Sequence, residues 1–175
     1  MGYNFSCIAI DKNINGQVDA FLENNNIFIA PTGKQVSIDR AMNGDQSKEI
    51  DSFFTDQGTI LFIPYDLSLQ AYKLGGANVM AFSYYETVMA FTIFFTEDGK
   101  LVRTILEAEG VIHDQSGEPL SIESDHESIA DWIEEMVEYL TGFRLFSYDE
   151  ESTCERYSIE PKKKRKGFFT RLFSK

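Results

Sequence analysis

A chain of 175 residues, 43% hydrophobic, 14% aromatic and 25% charged, is long enough to bury one core, and its composition excludes a disordered or collagen-like polymer. The net charge of −12 is divided unevenly: residues 1–160 hold all 28 acids against 9 Lys or Arg, while residues 161–175 hold 7 Lys or Arg and no acid. A body this acidic repels phosphate backbones, which argues against nucleic-acid binding and in favour of basic partners.

Residues 3–10 (YNFSCIAI) alternate loosely and then turn apolar, which predicts a strand. In GQVDAFLENN, Val18, Phe21 and Leu22 stand at i, i+3, i+4, a short amphipathic helix ended by Asn24 to Asn26. A short strand, Ile27 to Ala30, precedes the turn Pro31-Thr32-Gly33-Lys34. Ile50, Phe53 and Phe54 repeat the helical spacing, so a second helix is expected over Ser47 to Gln57, with Gly58 as its stop. Thr59 to Ile63 then reads as a buried strand.

The 23 residues from Leu74 to Thr96 contain one charge, Glu86, and approach the length of a membrane span. Gly75, Gly76, Asn78, Ser83, Thr87 and Thr92 dilute their hydrophobicity, and Glu86 near the middle would cost about 2.5–3.5 kcal/mol to insert. Val, Thr, Ile, Phe and Tyr instead suit two strands, Asn78 to Tyr84 and Thr87 to Thr96. Glu97-Asp98-Gly99-Lys100 predicts a hairpin turn, returning as a strand from Lys100 to Glu107. Gly110 to His113 adds a strand, followed by a loop over Asp114 to Leu120.

Ser124-Asp125-His126-Glu127 has the form of a capping box. After it, Ile129, Trp132, Ile133, Met136, Val137 and Leu140 form an apolar stripe at 3.6 spacing, stopped by Gly142. Phe143 to Tyr148 reads as the last strand, and Asp149 to Glu160 as an acidic linker. Residues 121–160 carry 12 acids against Arg144 and Arg156, the candidate face for a basic protein. Its residues are Asp131, Glu134, Glu135 and Glu138 on the helix, with Asp149, Glu150 and Glu151 beyond it; a solvated surface of no special use is the competing reading.

The tail is the most distinctive segment. A run of Lys162, Lys163, Lys164, Arg165 and Lys166 is followed by GFFTRLFSK, in which Phe168, Phe169, Leu172 and Phe173 share one helical face beside Arg171. That combination suits contact with an anionic membrane surface. It also resembles a nuclear-import signal, and docking on the acidic body or a solvated end are the other readings. Met1-Gly2 with Ser6 fits an N-myristoylation pattern, against which stands the strand beginning at Tyr3.

No catalytic residue, metal ligand or cofactor is expected. His113 and His126 lack the paired spacing of a zinc site, and Thr32-Gly33-Lys34 lacks the rest of a phosphate loop. Cys7 and Cys154 are too few for a disulfide framework and read as free thiols. The opening residues hold no basic segment followed by an apolar run, which makes the cytoplasm the expected compartment.

The run from Ala81 to Gly110, AFSYYETVMAFTIFFTEDGKLVRTILEAEG, continues to Gly117-Glu118-Pro119-Leu120 and Glu123. It resembles the core of several small bacterial families of unassigned function, which have an aromatic strand, a D-G-x-x-V/L-R hairpin and a G-E-P-L-x-x-E segment. Some of them occur among toxin-neutralising immunity proteins. The resemblance covers about a quarter of the chain. It implies a bacterial, non-enzymatic binding protein and transfers no functional residue.

The sequence thus predicts an α+β fold over residues 1–148, with an antiparallel or mixed sheet and two or three helices packed on it, the longest about 124–141. Residues 149–160 are the linker and 161–175 the basic aromatic tail. The leading functional expectation is an immunity-type inhibitor that binds a basic toxin or effector. The alternative is a peripheral or adaptor protein held at the inner face of a membrane by its tail.

Overall fold

Burial alternates along the strands in a way that decides the architecture. In β1 (Asn4–Ile10), Phe5, Cys7 and Ala9 join one hydrophobic cluster while Ile8 and Ile10 join another, so both faces of the strand are covered. The computed structural model, which describes residues 2–44, 47–125, 128–149 and 151–161, continues with α1 (Val18–Asn24), β2 (Phe28–Ser37), α2 (Ile38–Asn43), β3 (Glu49–Phe54) and β4 (Thr59–Phe62). There follow α3 (Tyr65–Ser68), β5 (Asn78–Tyr85), β6 (Ala90–Glu97), β7 (Lys100–Ala108), β8 (Val111–Ser116), α4 (Ile129–Thr141) and β9 (Thr153–Glu160). The fold is α+β: one antiparallel sheet in the order β2-β9-β3-β4-β1-β5-β6-β7-β8, with α2 and α4 on one face and α1 and α3 on the other.

The first cluster lies under α4. Trp132, Ile133, Met136, Val137 and Leu140 pack on Phe5, Phe62, Phe82 and Ile93, and α2 extends the roof with Ile38, Ala41 and Met42. The second cluster holds Val18, Phe21 and Leu22 of α1 against Ile8, Ile10, Ile50 and Leu61, closed by Tyr72 and Ala77. Cys7 and Cys154 are buried free thiols, and burial pushes Cys154 up to about 12, far from the thiolate.

The hairpin β6–β7 turns at Asp98-Gly99 as the sequence predicts, with both residues at positive φ. Five expectations need correction. The turn expected at Pro31-Thr32-Gly33-Lys34 is a bulge within β2, which runs on to Ser37 because both sides of it pair with β9. Residues 47–57 are not a helix: Ile50, Phe53 and Phe54 fit the helical period, but Glu49–Phe54 is a strand whose alternate residues reach opposite faces, Ile50 in one cluster and Phe53 in the other. The short helix in this region is α2, capped by Ser37, whose Oγ accepts from the Arg40 N–H at 3.2 Å.

The segment 143–148 is a series of turns rather than a strand, and the expected linker contains β9, which pairs with both β2 and β3. The long helix begins at Ile129, five residues later than expected, because Ser121–Asp125 forms a separate 3-10 turn. Its cap is Ser128, which accepts from the Asp131 N–H and donates to the Asp131 carboxylate. His126 and Glu127 of the expected capping box lie outside the described residues. At the other end Gly142 takes the left-handed conformation (φ +69°) and donates to the Glu138 carbonyl.

Candidate functional site

The 3.6 period of α4 that buries Trp132 and Met136 necessarily sends Asp131, Glu134, Glu135 and Glu138 to the outer side. The chain returns along that side after Gly142, so the four acids, Tyr139 and the segment Arg144 to Ser147 line one open groove of about 670 Å³. Phe146 anchors the return: its ring lies 4.6 Å from Tyr3, 6.3 Å from Phe5 and 5.5 Å from Tyr84. One wall is therefore acidic and the other is partly apolar, from Leu145 and Phe146.

Within the groove the acids differ in engagement. Asp131 is tied to the helix cap, and Glu138 pairs with Arg144 at 2.7 Å in an exposed bridge of little energetic weight. Glu134 accepts from the Tyr84 hydroxyl at 3.3 Å. Burial pushes the Glu134 carboxyl above its ordinary range; the Tyr84 hydrogen bond opposes this, and the Asp131 and Glu86 charges add to it. Burial and the Glu134 charge likewise push the Tyr84 hydroxyl well upward, so the phenol stays a donor.

The structure divides the predicted acids. Asp131, Glu134, Glu135 and Glu138 come together, whereas Asp149 and Glu151 form a turn in which Asp149 Oδ1 accepts from the Glu151 N–H at 3.1 Å. Asp149 lines a neighbouring hollow of about 300 Å³ with Phe53, Phe143 and Tyr148. Arg144 and Ser147 are common to both hollows. Glu150 lies outside the described residues, as do Lys162, Lys163, Lys164, Arg165, Lys166, Phe168, Phe169, Arg171, Leu172 and Phe173 of the tail.

A second cavity, of about 800 Å³, opens where the N-terminal turn of α4 overhangs β7 and β8. Arg103 forms part of its wall and uses all five N–H donors. Nε and Nη2 meet the two oxygens of Glu123 at 2.8 Å each, Nη1 reaches the Ser116 and Gly117 carbonyls at 3.2 and 3.0 Å, and Nη2 also reaches Gln115 Oε1 at 3.1 Å. These are the Arg of the DGKLVR run and the last Glu of GEPLxxE, so the two sequence runs are the two halves of one structural clamp. Gly117 is required beside it: φ is +83° and a Cβ there would stand 1.9 Å from the Val102 carbonyl oxygen.

Glu107 lines the same cavity, and burial raises its carboxyl pKa. A carboxyl that holds its proton more tightly folded than unfolded lowers stability when ionised, and that penalty disappears as the pH falls through its folded pKa. Glu107→Gln should therefore raise the urea midpoint at pH 7 and lose the gain at acid pH. Equal gains at both would show that the effect is not the charge.

Sequence reasoning misses Leu145 and Phe146 as groove walls, Tyr84 as the partner of Glu134 beneath them, and the whole second cavity. The one local signal was the aromatic density of residues 143–148. Among the described residues no group of three His, Cys, Asp or Glu is arranged to hold a metal ion, and no helix is long and apolar enough to cross a membrane. Comparison with known proteins finds no matching family model, no similar curated protein and no similar solved structure.

Proposed function

We propose that the chain is a non-enzymatic protein-binding domain whose acidic groove takes a basic segment of another protein, acting in the cytoplasm as an immunity-type inhibitor of a basic toxin or effector. The observation that carries this reading is the convergence of Asp131, Glu134, Glu135 and Glu138 on a groove with a partly apolar opposite wall. Acid supplies steering and orientation, and the partly buried Phe146 supplies apolar area that can be desolvated. The resemblance of the DGKLVR and GEPLxxE runs to small bacterial families points to the same class.

The test is recovery of partners from host lysate on the immobilised full-length chain, at low and high salt, beside a Glu134→Lys/Glu138→Lys variant. One stoichiometric protein, released by salt and lost by at least about tenfold in the variant, is the expected result. Identical recovery by both forms would sink the reading. The basic and aromatic tail favours a second reading, membrane targeting. In that case anionic vesicles should retain the full chain and fail to retain one with Ser at residues 162–166.

A further inference from the structure

The two edges of the sheet are finished differently. β2 carries Pro31, a bulge between Pro31 and Lys34, and that lysine, all of which hinder a further strand from pairing. β8 is bulged at His113 and carries Asp114, but it contains no Pro, Lys or Arg, and all of its residues are exposed, Val111 and Ile112 at 56% and 46%. No described strand pairs with its outer edge. The strand is held from one side only, by β7 and the Arg103 clamp.

The second cavity runs out to this edge through Ile112 and Gln115. At its inner end Trp132 is 1% exposed, and its Nε1–H is buried with no acceptor among the described residues. The surroundings are negative: residues 104–123 hold five acids and no Lys or Arg, and Arg103 neutralises only Glu123 among them.

From these features we propose that the β8 edge and the adjoining cavity form a peptide-docking site. An extended segment of a partner protein adds to β8 as a further strand and seats an apolar side chain, flanked by Lys or Arg, in the cavity. Main-chain hydrogen bonds to the edge supply affinity, and the pocket for alternate side chains supplies selectivity. This site shares no lining residue with the acidic groove, so it stands or falls independently of the function proposed above.

Trp132 is the chain's single tryptophan, and its emission reports on the cavity. The full-length protein is titrated with blocked nonapeptides carrying Val, Ile, Leu, Met or Phe at the centre between Lys or Arg residues. A saturable change in emission is expected for at least one of them. N-methylation of the peptide along its pairing side, and Ile112→Asp at an exposed position of β8, should each weaken binding about tenfold, the loss of one or two hydrogen bonds or of the apolar contact. Circular dichroism checks that the variant is folded, and Glu134→Lys should change little. The proposal is overturned if no peptide perturbs Trp132, or if N-methylated and parent peptides bind alike. Sedimentation showing dimers that Ile112→Asp converts to monomers would also overturn it, since the edge then serves a second copy of the chain.

Discussion

Arg103→Leu is expected to destabilise the protein by about 3–5 kcal/mol, a large part of the roughly 5–15 kcal/mol that holds a domain of this size together. Arg103 and Glu123 side chains are 5% and 14% exposed, so removing the cation leaves a carboxylate with little access to water. The same change strips partners from Gln115 and from the Ser116 and Gly117 carbonyls, which frees β8 and the loop behind it. Arg103→Lys should fall between, because one ammonium cannot reproduce a planar fork that meets both Glu123 oxygens and two carbonyls. The informative companion is Arg103→Met with Glu123→Leu. With both charges gone no buried ion is stranded, and part of the loss should be recovered, while Gln115, the Ser116 and Gly117 carbonyls and the Leu120 N–H still lack their partners. Guanidinium denaturation measures all three; a single-variant cost below about 1 kcal/mol would mean that the pair is solvated and the clamp does not hold.

Asp51→Leu should cost a similar amount, about 3–5 kcal/mol, on the opposite wing of the sheet. Asp51 is fully buried and accepts from Arg156 Nε and Nη2 at 2.7 Å each, while Arg156 Nη1 reaches the half-exposed Glu49 at 2.8 Å. Hydrogen bonding to Asp51 raises the Arg156 pKa, so the guanidinium stays charged and would be left with Glu49 alone. Since Asp51 and Arg156 are cross-strand partners, the variant loosens β9 between β2 and β3. Exchange of the β9 amides should rise well before global unfolding in Asp51→Leu and not in Arg103→Leu. If β9 exchange is unchanged, the ion pair does not secure that strand. Four strands separate the two pairs, so their costs should add.

The segments misread from the sequence share a cause. β9, TCERYSIE, was expected to be a linker because its acids and Arg156 look solvated; its inner face is built from Cys154 and from a charge whose partner, Asp51, lies 105 residues earlier. Nothing within eight residues announces that partner. Ile50, Phe53 and Phe54 satisfy a helix and a doubly covered strand equally well, and the choice is made by pairing with β4 and β9. Of the candidate site, the acidic half was legible because α4 alone places it. The apolar half is not, since Phe146 is positioned by Tyr3, just ahead of β1, and by Tyr84 of β5, both far away in the chain.

What the sequence determined by itself was whatever local interactions settle. The Asp98-Gly99 turn follows from positive φ at two adjacent residues, and α4 from one apolar stripe with a glycine after it. The opposite charges of body and tail follow from composition. Only the tertiary structure decided the strand order, the insertion of β9 between β2 and β3, the union of DGKLVR with GEPLxxE through Arg103 and Glu123, and the open edge at β8. Each of those depends on which distant segment reaches a given strand edge or buried charge. That competition is resolved by the free energy of the whole packed sheet, and no window of neighbouring residues contains it.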